Sequence, residues 1–181
     1  MLFDFFNIIS ELKKTPRSGW KNKADIETPE SVADHSFSTA MIAMVLSDLD
    51  NLNTEKILKM ALLHDVAEAI TGDLTPDEIS RGDKMKLENQ TIQEILMNLP
   101  SNLSDKYTTI WNEYVSGISK EAVLVHDVDR LEMALQARKY LAEGKSIDKL
   151  GVFFTSAQRD IKSEKILKLL DEIYPINNKN L

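Results

Sequence analysis

The stretch "KMALLHDVAEAITGDL", residues 59–74, decides how this chain folds. Most of it suits a buried helix and the loop after it, yet His64, Asp65 and Glu68 stand inside the apolar run, and Asp73 follows Gly72. Between Lys59 and Arg81 there are five acids (Asp65, Glu68, Asp73, Asp77 and Glu78) and no lysine or arginine. An ionised carboxylate left unpaired in an apolar setting costs several kcal/mol, so each must take up a proton or find a cation.

Outward from that stretch the pattern is helical nearly everywhere. Leu2, Phe5, Phe6, Ile9 and Leu12 recur at helical spacing and predict a first amphipathic helix. That segment lacks the basic start and small-residue cleavage site of a secretory signal. "TPRSG" ends it and opens an irregular segment reaching Glu27. Thr28 then serves as cap with Pro29 at the first helical position, and Val32, His35, Ile42 and Leu46 line one stripe of a helix ending near Asp50.

Asn53-Thr54 starts the helix that carries the quoted stretch and stops near Thr71-Gly72. "LTPDEISRGD" reads as a loop or short helix, before helices from about Lys84 to Leu99, from Ser101 to about Gly117, and from Ser119 to Glu143. A last helix covers "FTSAQRDIKSEKILKLLDEIYP", and "INNKNL" reads as a frayed tail. The expectation is an all-α bundle, a single domain over residues 1–181 with 175–181 as its tail.

Composition narrows the function. With no cysteine there is no disulfide, thiolate metal site or Cys nucleophile, and nothing requires an oxidising compartment. A net charge of −7 argues against general nucleic-acid binding, and no apolar stretch reaches membrane-span length. A cytoplasmic address follows as the expectation.

His64 and Asp65 point about 100° apart on a helix, so one ion beside it can accept both side chains. Glu68 sits one turn on, over the same place. His35 occupies a position where its own helix asks for an apolar residue. A single buried histidine is more often a hydrogen-bonded core residue than a ligand. Two of them with an aspartate, a glutamate and no nearby base favour a divalent cation. Sulfur-free ligation suits Mn, Co, Ni, Fe or Zn.

Three segments then carry a resemblance. "SVADHS" (31–36), "LLHDVAEAITGD" (62–73) and "HDVDRLEMALQA" (126–137) resemble the HD-domain phosphohydrolases, and more narrowly the HD-domain 5′-deoxynucleotidases. "TPRSGW" (15–20) is similar to an Arg-x-Gly-Trp segment of one branch. The resemblance implies a helical bundle of the HD-domain type that hydrolyses deoxyribonucleoside 5′-monophosphates with one divalent ion, Mg included among the candidates. His35, His64, Asp65 and an aspartate of the late motif would hold that ion.

Helical-wheel reasoning leaves Asp127 and Asp129 open, while the family motif points to Asp129-Arg130-Leu131 and leaves His126 and Asp127 as neighbours of the ligands or surface residues. The resemblance gives Glu68 a catalytic role. It gives Asp73 a contact with the sugar or the attacking water, Arg17 the phosphate, and Trp20 the sugar. Read from the residues alone, Glu68 could be a solvent-facing helix-end charge, Trp20 a core residue, and the basic run "KKTPRSGWKNK" a solvated loop. Relatives are often homodimers, and the long Met-containing helix offers an interface. The alternatives are a hydrolase of nucleoside triphosphates or another small phosphate ester, and a non-catalytic nucleotide-binding module.

Overall fold

The computed structural model describes residues 1–173, so Pro175 and the expected tail lie outside the described residues. Within them run ten helical segments: α1 (Leu2–Glu11), α2 (Ser18–Ala24), α3 (Val32–Leu49), α4 (Thr54–Leu63), α5 (Glu68–Thr71), α6 (Arg81–Leu96), α7 (Ser101–Ser116), α8 (Lys120–Ala142), α9 (Ile147–Asp160) and α10 (Glu164–Ile173). The only β pairing among the described residues is an isolated antiparallel bridge between Pro16 and Ser31. The fold class is all-α, as the periodicity predicts. No helix among the described residues is long and apolar enough to cross a membrane.

The long helix α8 is the axis of the bundle. It packs against α3, α4, α7, α9 and α10. Val125, Val128, Leu131, Ala134 and Ala137 are all buried along it. Five neighbouring helices thus cover most of its apolar surface. The exposed apolar stripe lies instead on α3, where Phe37, Met41, Val45 and Leu49 recur every four residues and face outward.

Five boundaries differ from the sequence reading, each for a specific physical reason. The cap of α3 is Ser31, not Thr28. Its Oγ accepts the Asp34 amide at 3.2 Å while Asp34 Oδ2 accepts the Ser31 amide at 2.9 Å, a reciprocal box that residues 28 and 29 cannot form. Pro29 therefore lies in the extended lead-in, where Arg17 N–H donates to the Glu30 carbonyl at 3.0 Å. Residues 18–24, expected to be irregular, form α2, which ends where Asp25 turns left-handed at φ 50°.

The helix expected over 54–70 breaks after Leu63. His64 Nδ1 lies 2.6 Å from the Ala61 carbonyl, the acceptor that the amide of residue 65 would use in a continued α-helix. The chain tightens into three-residue bonds, with Val66 N–H to Leu63 O at 3.1 Å and Glu68 N–H to Asp65 O at 3.0 Å, leading into α5.

The expected last helix is two helices. Asp127 on α8 is 1% exposed, and its two oxygens accept the amides of Lys162 (2.9 Å) and Ser163 (2.8 Å), drawing the chain out of helix between α9 and α10. Asp127 is thus neither at the surface nor a partner of the ligands. It is the acceptor that starts α10. Helix α6 starts earlier than expected, with Ser80 capping it through Asp83 N–H at 3.2 Å.

Candidate active site

Three segments meet beside the break in α4. Helix α3 contributes His35, the α4–α5 turn contributes His64 and Asp65, and α8 contributes Asp129. His35 Nε2 and His64 Nε2 stand 3.2 Å apart. Asp129 Oδ1 is 3.2 Å from His35 Nε2, and Asp65 Oδ2 is 3.1 Å from His64 Nε2 and 3.7 Å from His35 Nε2. The structure therefore brings together all four residues that the sequence reading assigned to an ion.

The far side of each ring decides what the near side can do. His35 Nδ1 lies 2.6 Å from Glu132 Oε2, and His64 Nδ1 lies 2.6 Å from the Ala61 carbonyl. Both partners are pure acceptors, so each Nδ1 carries the hydrogen and each Nε2 of a neutral ring presents a lone pair. When both rings are neutral, two such nitrogens and two carboxylate oxygens converge on one place. Donor atoms sharing one ion at about 2.1 Å stand about 3.0 to 3.4 Å apart. The His35–His64, His35–Asp129 and His64–Asp65 pairs have that spacing, and Asp65 lies further from His35, at 3.7 Å. The residues present fit a divalent cation.

Electrostatics agree. Burial and Arg17 pull the His35 imidazole down, yet its hydrogen bonds to Asp129 and Glu132 push it up to about 10, so where no cation is bound a proton on this ring takes its place. Burial also pushes the Asp129 carboxyl up, but Arg130 and His35 hold it well below the usual carboxylate range.

Arg17, the N-cap of α2, points its Nη1 at Asp65 Oδ2, 3.2 Å away. Gly72 turns the chain at φ 72°, a conformation that favours glycine, and delivers Asp73 to α2, where Oδ2 accepts the Ser18 amide at 2.7 Å. Glu68 is 2% exposed, which removes the solvent-facing reading. Burial, then Asp65 and Asp73, push its carboxyl well above the ordinary value against the pull of Arg17 and Lys84.

Trp20 corrects one expectation. The ring is 2% exposed and closed in by Phe153 (centroids 4.1 Å) and Tyr140 (5.2 Å), and Nε1–H donates to Glu30 Oε1 at 2.9 Å. An indole so enclosed fixes α2 in place and offers no face to a sugar.

Four residues escaped the sequence reading. Glu132 lies one turn after Asp129, a buried acid in an apolar helix, and that oddity was its signal. Lys84 reaches Glu68 Oε1 at 3.1 Å, and Glu88 stands 3.5 Å from the same ammonium. No local pattern marks these two as site residues. Tyr114 on α7 turns its ring edge toward His64 (6.2 Å) and stacks on His126 (4.3 Å), whose Nε2 is 2.9 Å from the Tyr114 carbonyl.

Comparison with known proteins followed this geometry. A family model described as "HD domain" matches residues 9–174. The 5′-deoxynucleotidase HDDC2 of Xenopus laevis is 35% identical over 178 residues, covering 98% of this chain and 88% of that relative. The protein of the same name from Homo sapiens is 34% identical over 181 residues, covering 99% and 88%. A solved structure from Pyrococcus horikoshii superposes with a TM-score of 0.79 at 32% identity, over 94% of this chain and 97% of that one. The chain belongs to the HD-domain family.

Proposed function

We propose that the protein is a metal-dependent 5′-deoxynucleotidase, cleaving deoxyribonucleoside 5′-monophosphates to deoxynucleoside and phosphate. One observation carries this reading: the nitrogen and oxygen donors of His35, His64, Asp65 and Asp129 converge beside an arginine and a buried glutamate. Relatives that cover nearly the whole chain bear the name 5′-deoxynucleotidase, which supports the substrate class.

One divalent ion held by those four residues supplies charge neutralisation at the phosphoryl group and a lowered pKa for water. The chain's own groups do the rest. Arg17 presents paired N–H donors to the phosphate oxygens, a geometry suited to bidentate binding. In the reaction a water oxygen bonds to phosphorus as the bond from phosphorus to the sugar O5′ breaks. One water proton passes to Glu68 and from there to the departing O5′, and the other stays on the phosphate. Asp73 keeps Oδ1 for a sugar hydroxyl, since Oδ2 is taken by the Ser18 amide.

The test is metal analysis of purified protein together with phosphate release across ribo- and deoxynucleoside mono-, di- and triphosphates, with Mn, Co or Mg added. Release confined to deoxymonophosphates is expected. Preference for triphosphates would change the substrate class. A metal-loaded protein that nucleotides stabilise but that releases no phosphate would be a binding module.

The reading includes a homodimer formed through the outward stripe of α3 (Phe37, Met41, Val45, Leu49). Sedimentation equilibrium is expected to give twice the 20.5 kDa chain mass, and a stable 20.5 kDa species at micromolar concentration would remove the dimer.

A further inference from the structure

Lys84 arises in the first turn of α6, on a stretch otherwise open to solvent, yet its side chain is only 27% exposed. The helix is anchored further along, where Ile92, Ile95 and Leu96 are fully buried. From that fixed base the ammonium crosses the 72–80 loop. It donates to the Leu74 carbonyl at 2.9 Å and to Glu68 Oε1 at 3.1 Å, with Glu88 Oε1 at 3.5 Å and Asp73 Oδ1 at 3.8 Å. The shorter contacts are those across the loop rather than to Glu88 on its own helix. Burial pulls the ammonium down, but Glu68, Glu88 and Asp73 outweigh it, and the group stays charged.

The other oxygen of Glu68 shows what this achieves. Oε2 is buried and has no hydrogen-bond partner among the described residues. The ammonium held on Oε1 fixes the plane of the carboxylate, and with it the direction in which Oε2 points.

We infer that Lys84 is a positioning residue for the reaction: it fixes Oε1 of Glu68 and the Leu74 carbonyl together, so that the Glu68 carboxylate keeps one orientation for proton transfer and Asp73 is held in register one residue before the tethered carbonyl. This rests on the nucleotidase reading for its kinetic consequence, but the geometric half stands by itself. The same tether couples the loop to α2, since Asp73 accepts the Ser18 amide at 2.7 Å and Asp77 lies 3.6 Å from Lys23.

The experiment compares Lys84→Met and Lys84→Arg in the metal-loaded full chain by steady-state kinetics, metal analysis, thermal melting and crystallography. Lys84→Met is expected to lose about 10- to 100-fold in kcat, part of what a general base supplies, with KM and bound metal little changed. Lys84→Arg, which keeps the charge and the donors, is expected to regain most of the loss. The crystal structure of Lys84→Met is expected to show the Glu68 carboxylate rotated from its place.

Wild-type kcat in Lys84→Met would overturn the inference, as would a Glu68 carboxylate that stays where it is. A loss that follows melting temperature and that arginine does not rescue would also overturn it, making Lys84 a stability residue. An inactive metal-loaded wild type would sink the nucleotidase reading instead, and the position of Glu68 in Lys84→Met would still decide whether Lys84 sets it.

Discussion

Chelating the divalent ion is expected to abolish phosphate release, and returning the ion to restore it. A metal at a phosphoryl centre provides several kcal/mol of charge stabilisation, so its loss amounts to on the order of a thousandfold in rate or more. Stability should fall as well. A ligand bound only by the folded state, at about a hundred times its dissociation constant, adds about 2.7 kcal/mol. With the ion gone, only a proton on His35 is left to bridge the ring nitrogens of His35 and His64, 3.2 Å apart.

The same prediction separates the two aspartates of α8. Asp129→Asn is expected to lose bound metal and activity together, because Oδ1 stands 3.2 Å from His35 Nε2. Asp127→Asn is expected to keep its metal, because both its oxygens are committed to the amides of Lys162 and Ser163. Elemental analysis beside the phosphate assay reads both. A chelated protein with full turnover, or stoichiometric metal in an active Asp129→Asn, would dissolve the assignment.

How far this was legible in the letters depends on the range of the interactions involved. Helices with regular apolar spacing, such as α1 and α8, are written locally and were readable, although α1 buries only Phe5 and leaves Leu2 and Phe6 exposed. The breaks were not, because each is made by a partner elsewhere or by a side chain turned back on the backbone: Asp127 acting on residues 162–163, and His64 taking the Ala61 carbonyl. The question raised by five acids without a base has a long-range answer. Arg17 reaches Asp65 from 48 residues upstream and Lys84 reaches Glu68 from 16 downstream, and no local window contains either pair.

The ligand set was readable in part. His35, His64 and Asp65 stand out as polar groups at apolar positions, whereas the choice of Asp129 came from the family motif. The geometry explains that choice, since residues two apart on a helix point about 200° apart. One of the pair had to face away from the ion. Trp20 was open on sequence grounds because a lone tryptophan gives no sign of whether its face is covered, and here Phe153 and Tyr140 cover it.

Glu68→Gln is expected to cost about 10²- to 10⁴-fold in kcat, the range a general base contributes, while KM and bound metal stay near wild type. The substitution keeps the volume of the side chain and an oxygen for Lys84, so the 72–80 loop keeps its tether. What it removes is the proton acceptor. In the native protein that acceptor is costly to the fold: Glu68 is 2% exposed, with one oxygen lacking any partner among the described residues, and burial together with Asp65 and Asp73 raises its carboxyl well above the ordinary value. A neutral amide relieves the repulsion from Asp65 and Asp73, so the melting temperature of Glu68→Gln is not expected to fall. A structural role would show the opposite pattern, with stability lost first and turnover following it. If Glu68→Gln, fully loaded with metal, turns over at the wild-type rate, the proton travels through another group. Asp73, whose Oδ1 is not engaged by the Ser18 amide, would be the next residue to substitute.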